Sequence, residues 1–116
     1  QKENLILQLT FEFAVQCIEY CDRLMENKKF VIGQQLLKSA TSIGANAREA
    51  QHAESKADFI HKMKISMKEA EETKYWLELC QASSSYPNPD TLLLKIESII
   101  KVLSKILIVM KSKPKA

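Results

Sequence analysis

The sequence predicts an all-α protein: an antiparallel, up-down-up-down four-helix bundle formed as a single domain over residues 1–116. Three observations predict it. Apolar residues recur at alternating steps of three and four along four separate segments, the period of an amphipathic helix. The chain holds only 2 Gly and 3 Pro, so little of it is built for turns. Its composition, 46% hydrophobic and 27% charged, is globular and dominated by helix-forming residue types.

The first helix is expected over about residues 4–26. Its inner row reads Leu5, Leu9, Phe13, Cys17, Tyr20 and Leu24. A second row, Phe11, Ala14, Ile18, Cys21 and Met25, makes the apolar stripe wider than one bundle core uses. The surplus predicts a central helix or one that also meets another subunit. Asn27-Lys28-Lys29 breaks the pattern as a turn.

The second helix is expected over about 31–52, with Leu36, Ala40, Ile43, Ala47 and Ala50 inward. Small residues crowd it. Gly44 inside a helix costs up to about 1 kcal/mol relative to Ala, which implies close approach by a neighbouring helix. Gln35, Ser39, Thr41, Ser42 and Asn46 add polar groups that must be hydrogen-bonded wherever they are buried. Glu72, Tyr75 and Trp76 are the expected partners, in a network that fixes helix register or, on the rival reading, contacts a ligand or another subunit.

Ser55-Lys56-Ala57-Asp58 reads as a capping box opening a third helix over about 56–82. Its inner row is Phe59, Met63, Ser66, Ala70, Thr73, Leu77 and Cys80, small in the middle and matched to the second helix for tight packing. Ser83 to Pro87 is a loop. Asn88-Pro89-Asp90 starts a fourth helix over about 89–112, with Asn as cap, Pro at the first position and Asp in the first turn. Leu92, Ile96, Ile99, Leu103, Ile106 and Met110 form its seam, flanked by Leu93, Ile100 and Leu107.

No apolar run approaches the roughly 20 residues that span a bilayer, and the N-terminus has no signal-peptide pattern. No membrane partner and a cytoplasmic location are expected. Three cysteines without a C-x-x-C pair argue against a disulfide framework or zinc site. Glu49-x-x-His52 and Asp58-x-x-His61 have the carboxylate-to-His spacing of di-iron bundles, but they fall at the rim of a helix hairpin, not mid-bundle. No metal and no cofactor are therefore expected. With two glycines there is no phosphate-cradling loop, and no His stands at local spacing from a cysteine, so no catalytic residues are assigned. Glu69, Glu71 and Glu72 read as a solvated acidic face offset by Lys62, Lys64, Lys68 and Lys74.

Charge is uneven about a net of +3. Residues 3–27 carry five acids against Arg23, a net of −4, and residues 90–116 carry six lysines against Asp90 and Glu97, a net of +4. The C-terminal helix can thus meet an anionic partner, or basic surface can meet acidic surface in self-association.

The string from Gln35 to Ala50 that includes Thr41-Ser42-Ile43-Gly44-Ala45-Asn46-Ala47-Arg48-Glu49-Ala50, then Ser55 to Ile60, Lys68-Glu69-Ala70, Glu72-Thr73 and Tyr75-Trp76-Leu77, resembles the bacterial four-helix-bundle proteins encoded in intervening sequences of large-subunit ribosomal RNA genes. The resemblance extends to a relative, the accessory variability protein of diversity-generating retroelements. It implies a bundle prone to form a five-subunit ring. From the retroelement relative it also implies a basic adaptor that binds nucleic acid. Ser42, Asn46, Glu49, Glu69, Glu72 and Trp76 match the family motif and are expected to be structural. The expectation is a non-enzymatic homo-oligomer, a pentamer by resemblance, that binds RNA or DNA through Lys101, Lys105, Lys111 and Lys113. The alternative is a structural or protein-interaction module with no nucleic-acid partner.

Overall fold

A computed structural model describes residues 5–112. They form four helices: α1 (Leu5–Glu26), α2 (Phe30–Ala50), α3 (Lys56–Ala82) and α4 (Asp90–Ser112). Each helix packs on its neighbours in chain order, and α4 returns to α1 to close the bundle. Inter-helix pairs give the directions. Ser39 meets Thr73 while Glu49 meets Lys62, so α2 and α3 are antiparallel. Lys74 meets Glu97 while Gln81 meets Asp90, so α3 and α4 are too. Among the described residues there is no strand, and no helix is long and apolar enough to cross a membrane.

Local chemistry sets the ends. Lys28 sits at φ 62, its N–H donates to the Met25 carbonyl and the Lys29 N–H to that of Leu24. This is the Schellman closure of α1, made by Lys where Gly is usual. α2 opens at Lys29 without a side-chain cap. At α3 the Ser55 hydroxyl accepts from the Asp58 N–H at 3.0 Å, and the Asp58 carboxylate accepts from the Glu54 N–H at 3.1 Å. At α4 the Asn88 side chain accepts from the Asp90 N–H at 2.7 Å. The Tyr20 hydroxyl donates to the Pro87 carbonyl at 2.6 Å and so ties the α3–α4 loop to α1.

The core is built from Phe13, Cys17 and Leu24 of α1, Leu36, Ala40 and Ile43 of α2, Met63, Ala70 and Leu77 of α3, and Ile96, Ile99 and Leu103 of α4. The inner row of α1 departs from expectation in its first two turns. Ile6 and Thr10 are buried, whereas Leu5 is exposed and Leu9 half-buried. The cause is α2. A Cβ on Gly44 would lie 3.0 Å from the Thr10 hydroxyl, so the helices touch closely there. Thr10 tolerates burial because its hydroxyl donates to the Ile6 carbonyl of its own helix at 2.8 Å.

All three cysteines are buried and reduced. Burial raises the Cys17 thiol well above its ordinary range and pushes that of Cys21 up to about 12. Burial raises Cys80 too, partly offset by the Tyr20 hydroxyl beside it. Thiols held protonated in this way are small core hydrophobes, not nucleophiles.

Candidate nucleic-acid interface

The Lys74–Glu97 and Gln81–Asp90 pairs fix which levels of α3 and α4 lie side by side. Carried down the antiparallel hairpin, this register places Lys64 and Lys68 of α3 level with residues 103–107 of α4, on either side of the level of Lys105. Residues 59–68 and 98–112 contain no Asp or Glu. One end of the α3–α4 face is therefore poor in acid, its Asp58 turned to Lys62, with Lys64, Lys68, Lys101, Lys105 and Lys111 all exposed. The other end of the same two helices carries Glu71, Glu72, Glu78, Asp90 and Glu97. The surface is polarised along the long axis, which measures 53 Å.

Of the lysines expected to meet an anion, Lys101 and Lys105 stand one turn apart on the outer face of α4, and Lys111 follows on its last turn. Lys113 lies outside the described residues. In sequence, Lys64 and Lys68 read only as counter-charges for the glutamates. Their alignment with α4 depends on inter-helix register, which periodicity within one helix does not contain. Among the described residues none of these five lysines forms an ion pair. Such an array suits phosphate oxygens, which lysine meets as a point charge.

The six motif residues line the outer flank of the α2–α3 seam, and most bond within their own helix. Ser42 donates to the Lys38 carbonyl at 2.8 Å, Asn46 to the Ser42 carbonyl at 2.8 Å, and the Trp76 indole to Glu72 at 3.1 Å. Glu49 reaches across to Lys62 at 3.9 Å. The Glu69 carboxyl is held above its ordinary range by burial and by Glu72 beside it, with Lys38 and Lys68 pulling the other way. The expected partners of the α2 polar cluster are corrected. Thr73 donates to Ser39 at 2.8 Å, while Thr41, Ser42 and Asn46 donate to carbonyls of their own helix; beside them Ser66 donates to the Ile43 carbonyl at 2.8 Å. Short hydroxyls fill the seam, while Tyr75 is exposed and Trp76 packs half-buried at the edge of the core, the two rings meeting edge to face with centroids 5.3 Å apart.

Glu49 and Asp58, from the two carboxylate-to-His steps, both turn to Lys62. Among the described residues no three His, Cys, Asp or Glu side chains gather as a metal-holding group.

On α1, Phe11 is 59% exposed, Ile18 43% and Val15 41%. They form one outward row beside the acidic row of Glu12, Glu19 and Asp22. Phe11 and Ile18 come from the second row of the wide stripe, whose Cys21 is buried instead, and Val15 joins them from outside it.

No curated protein matches the chain. A solved structure from Bacteroides thetaiotaomicron, a protein of unknown function from the S23 ribosomal protein family, superposes with a TM-score of 0.84 at 40% identity. The match covers 89% of this chain and 98% of that one. The family model for the 23S rRNA-intervening sequence protein matches residues 2–107, and the chain belongs to that family.

Proposed function

We propose that this protein is a non-enzymatic, self-associating helical bundle that binds RNA or DNA through the phosphate backbone. The lysine-rich end of the α3–α4 face carries the reading. It holds five lysines on two adjoining helices, without an ion pair among the described residues and with no carboxylate in either segment. Phosphate contacts of this kind are sequence-independent and salt-sensitive. The family's association with a ribosomal RNA gene accords with a nucleic-acid partner.

Fluorescence polarisation with labelled RNA and DNA at about 50 and 200 mM salt tests it. Tight binding that weakens steeply with salt is expected. Reversing charge in the double variant Lys101→Glu, Lys105→Glu should weaken binding and flatten the salt slope by about 0.9 for each phosphate no longer neutralised. Absence of binding at the lower salt, or a slope indifferent to these lysines, overturns it.

The exposed Phe11–Val15–Ile18 row supports the self-association part of the reading, and resemblance gives a five-subunit ring as its form. Light scattering at micromolar concentration should find an oligomer that Val15→Asp dissociates. A monomeric unsubstituted chain removes that part and leaves the phosphate-binding part standing.

A further inference from the structure

We infer that the open end of the α1–α4 seam binds a single-chain anionic amphiphile, a long-chain carboxylate. There the start of α1, the start of α3 and the end of α4 enclose a cleft of about 540 Å³, within the range of small-molecule sites. Its walls are apolar, with Leu5 from α1, Phe59 and Met63 from α3, and Ile106 and Val109 from α4. Among the described residues only two polar side chains line it, Gln51 and Lys105.

Two observations choose the ligand chemistry. Leu5 and Val109 remain 50% and 42% exposed, so the walls are incompletely covered. The lining stretches 59–68 and 98–112 hold no Asp or Glu, and Asp58, in the first turn of α3, is turned to Lys62. Among the described residues Lys105 has no ion pair. An apolar trough lined by one cation, which has no ion pair among the described residues, complements an alkyl chain ending in a single negative charge. The α1–α2 groove of about 490 Å³ lacks this character. It carries Arg48, Glu49 and His52 together, so its charge selects neither sign.

Titration calorimetry of the full chain with dodecanoate, below its aggregation concentration, tests the site. One saturable site per chain is expected. Affinity should rise two- to fourfold per methylene from octanoate to dodecanoate, the upper factor corresponding to about 0.8 kcal/mol. Dodecanol should bind about tenfold more weakly, for want of the charge-assisted bond to Lys105. Lys105→Gln should erase that difference while the alcohol binds as before. Ile106→Asp should abolish binding, with helix content by circular dichroism confirming the fold. Three outcomes overturn the proposal: no saturable site, equal affinity for acid and alcohol, or indifference to Lys105→Gln. Binding to anionic phospholipid vesicles with no response to free dodecanoate also overturns it, since the surface then reads membrane charge. The nucleic-acid reading is scored separately, by polarisation.

Discussion

The α2–α3 seam and the α1–α4 seam join helices of similar length in opposite ways. Between α2 and α3 the facing residues are small: Ser39, Ala40 and Ala47 against Ser66, Ala70 and Thr73, all buried. The helices approach until hydroxyls bridge them at 2.8 Å. Between α1 and α4 the facing residues are large aliphatics and Phe13, and the helices stand further apart. Clefts of about 240 and 540 Å³ open along that seam, and the Gln16 side-chain oxygen is buried in it without a hydrogen-bond partner. Side-chain volume at the contact sets helix spacing. Here small residues produce the tight, specified interface and bulky ones the loose interface with room for a ligand.

Enlarging a residue in each seam gives the largest effect. Ala70 is fully buried, so Ala70→Leu should cost about 2–3 kcal/mol by forcing α2 and α3 apart. Ser98 lines the α1–α4 cleft, so Ser98→Leu should change stability by under about 0.5 kcal/mol. Urea midpoints of the two variants measure the contrast. Equal losses would mean that the seams do not differ in free space.

Next comes the hydroxyl bridge. The Thr73 hydroxyl lies 2.8 Å from that of Ser39 and 2.7 Å from the Glu69 carbonyl. Thr73→Val keeps the shape and removes the donor, which should cost about 1–2 kcal/mol in chemical denaturation. If the bridge contributes only packing, the variant will match the unsubstituted chain.

In the α1–α4 seam the sign reverses. Gln16→Leu removes the unpartnered buried oxygen and adds apolar volume beside a cleft. It should stabilise by about 1 kcal/mol, read as a higher urea midpoint at unchanged m-value. A loss instead would show that Gln16 has a partner in solution.

The same contrast explains what sequence can reveal. The four helices and their inner faces are legible because aliphatic periodicity is a local signal, and the Ser55 and Asn88 caps because their chemistry is local too. Thr10 is not legible, since only proximity to Gly44 makes it an inner residue where Leu9 is more apolar. Sequence points the α2 polar cluster at Trp76 and its neighbours because it gives a helix face but not the width of the gap opposite. Lys101 and Lys105 can be found within one helix. Lys64 and Lys68 cannot be joined to them without the register that Lys74 and Glu97 reveal.

The smallest expected effect lies at the rim of the tight seam. Burial, then Glu72, raises the Glu69 carboxyl above its ordinary value, with Lys38 and Lys68 partly opposing. The folded state therefore keeps a proton that the unfolded chain gives up, and stability must fall as pH climbs from the ordinary glutamate value of about 4.3 through the folded one. Above that window the ionised carboxylate imposes a constant penalty; below it there is none. Glu69→Gln should be slightly more stable than the unsubstituted chain at pH 7 and lose that advantage in acid, traced by urea midpoints between about pH 4 and 7. A Gln variant that is less stable at neutral pH would mean that Lys38 and Lys68 outweigh burial, and that the seam's rim is held by charge pairs as well as by hydroxyls.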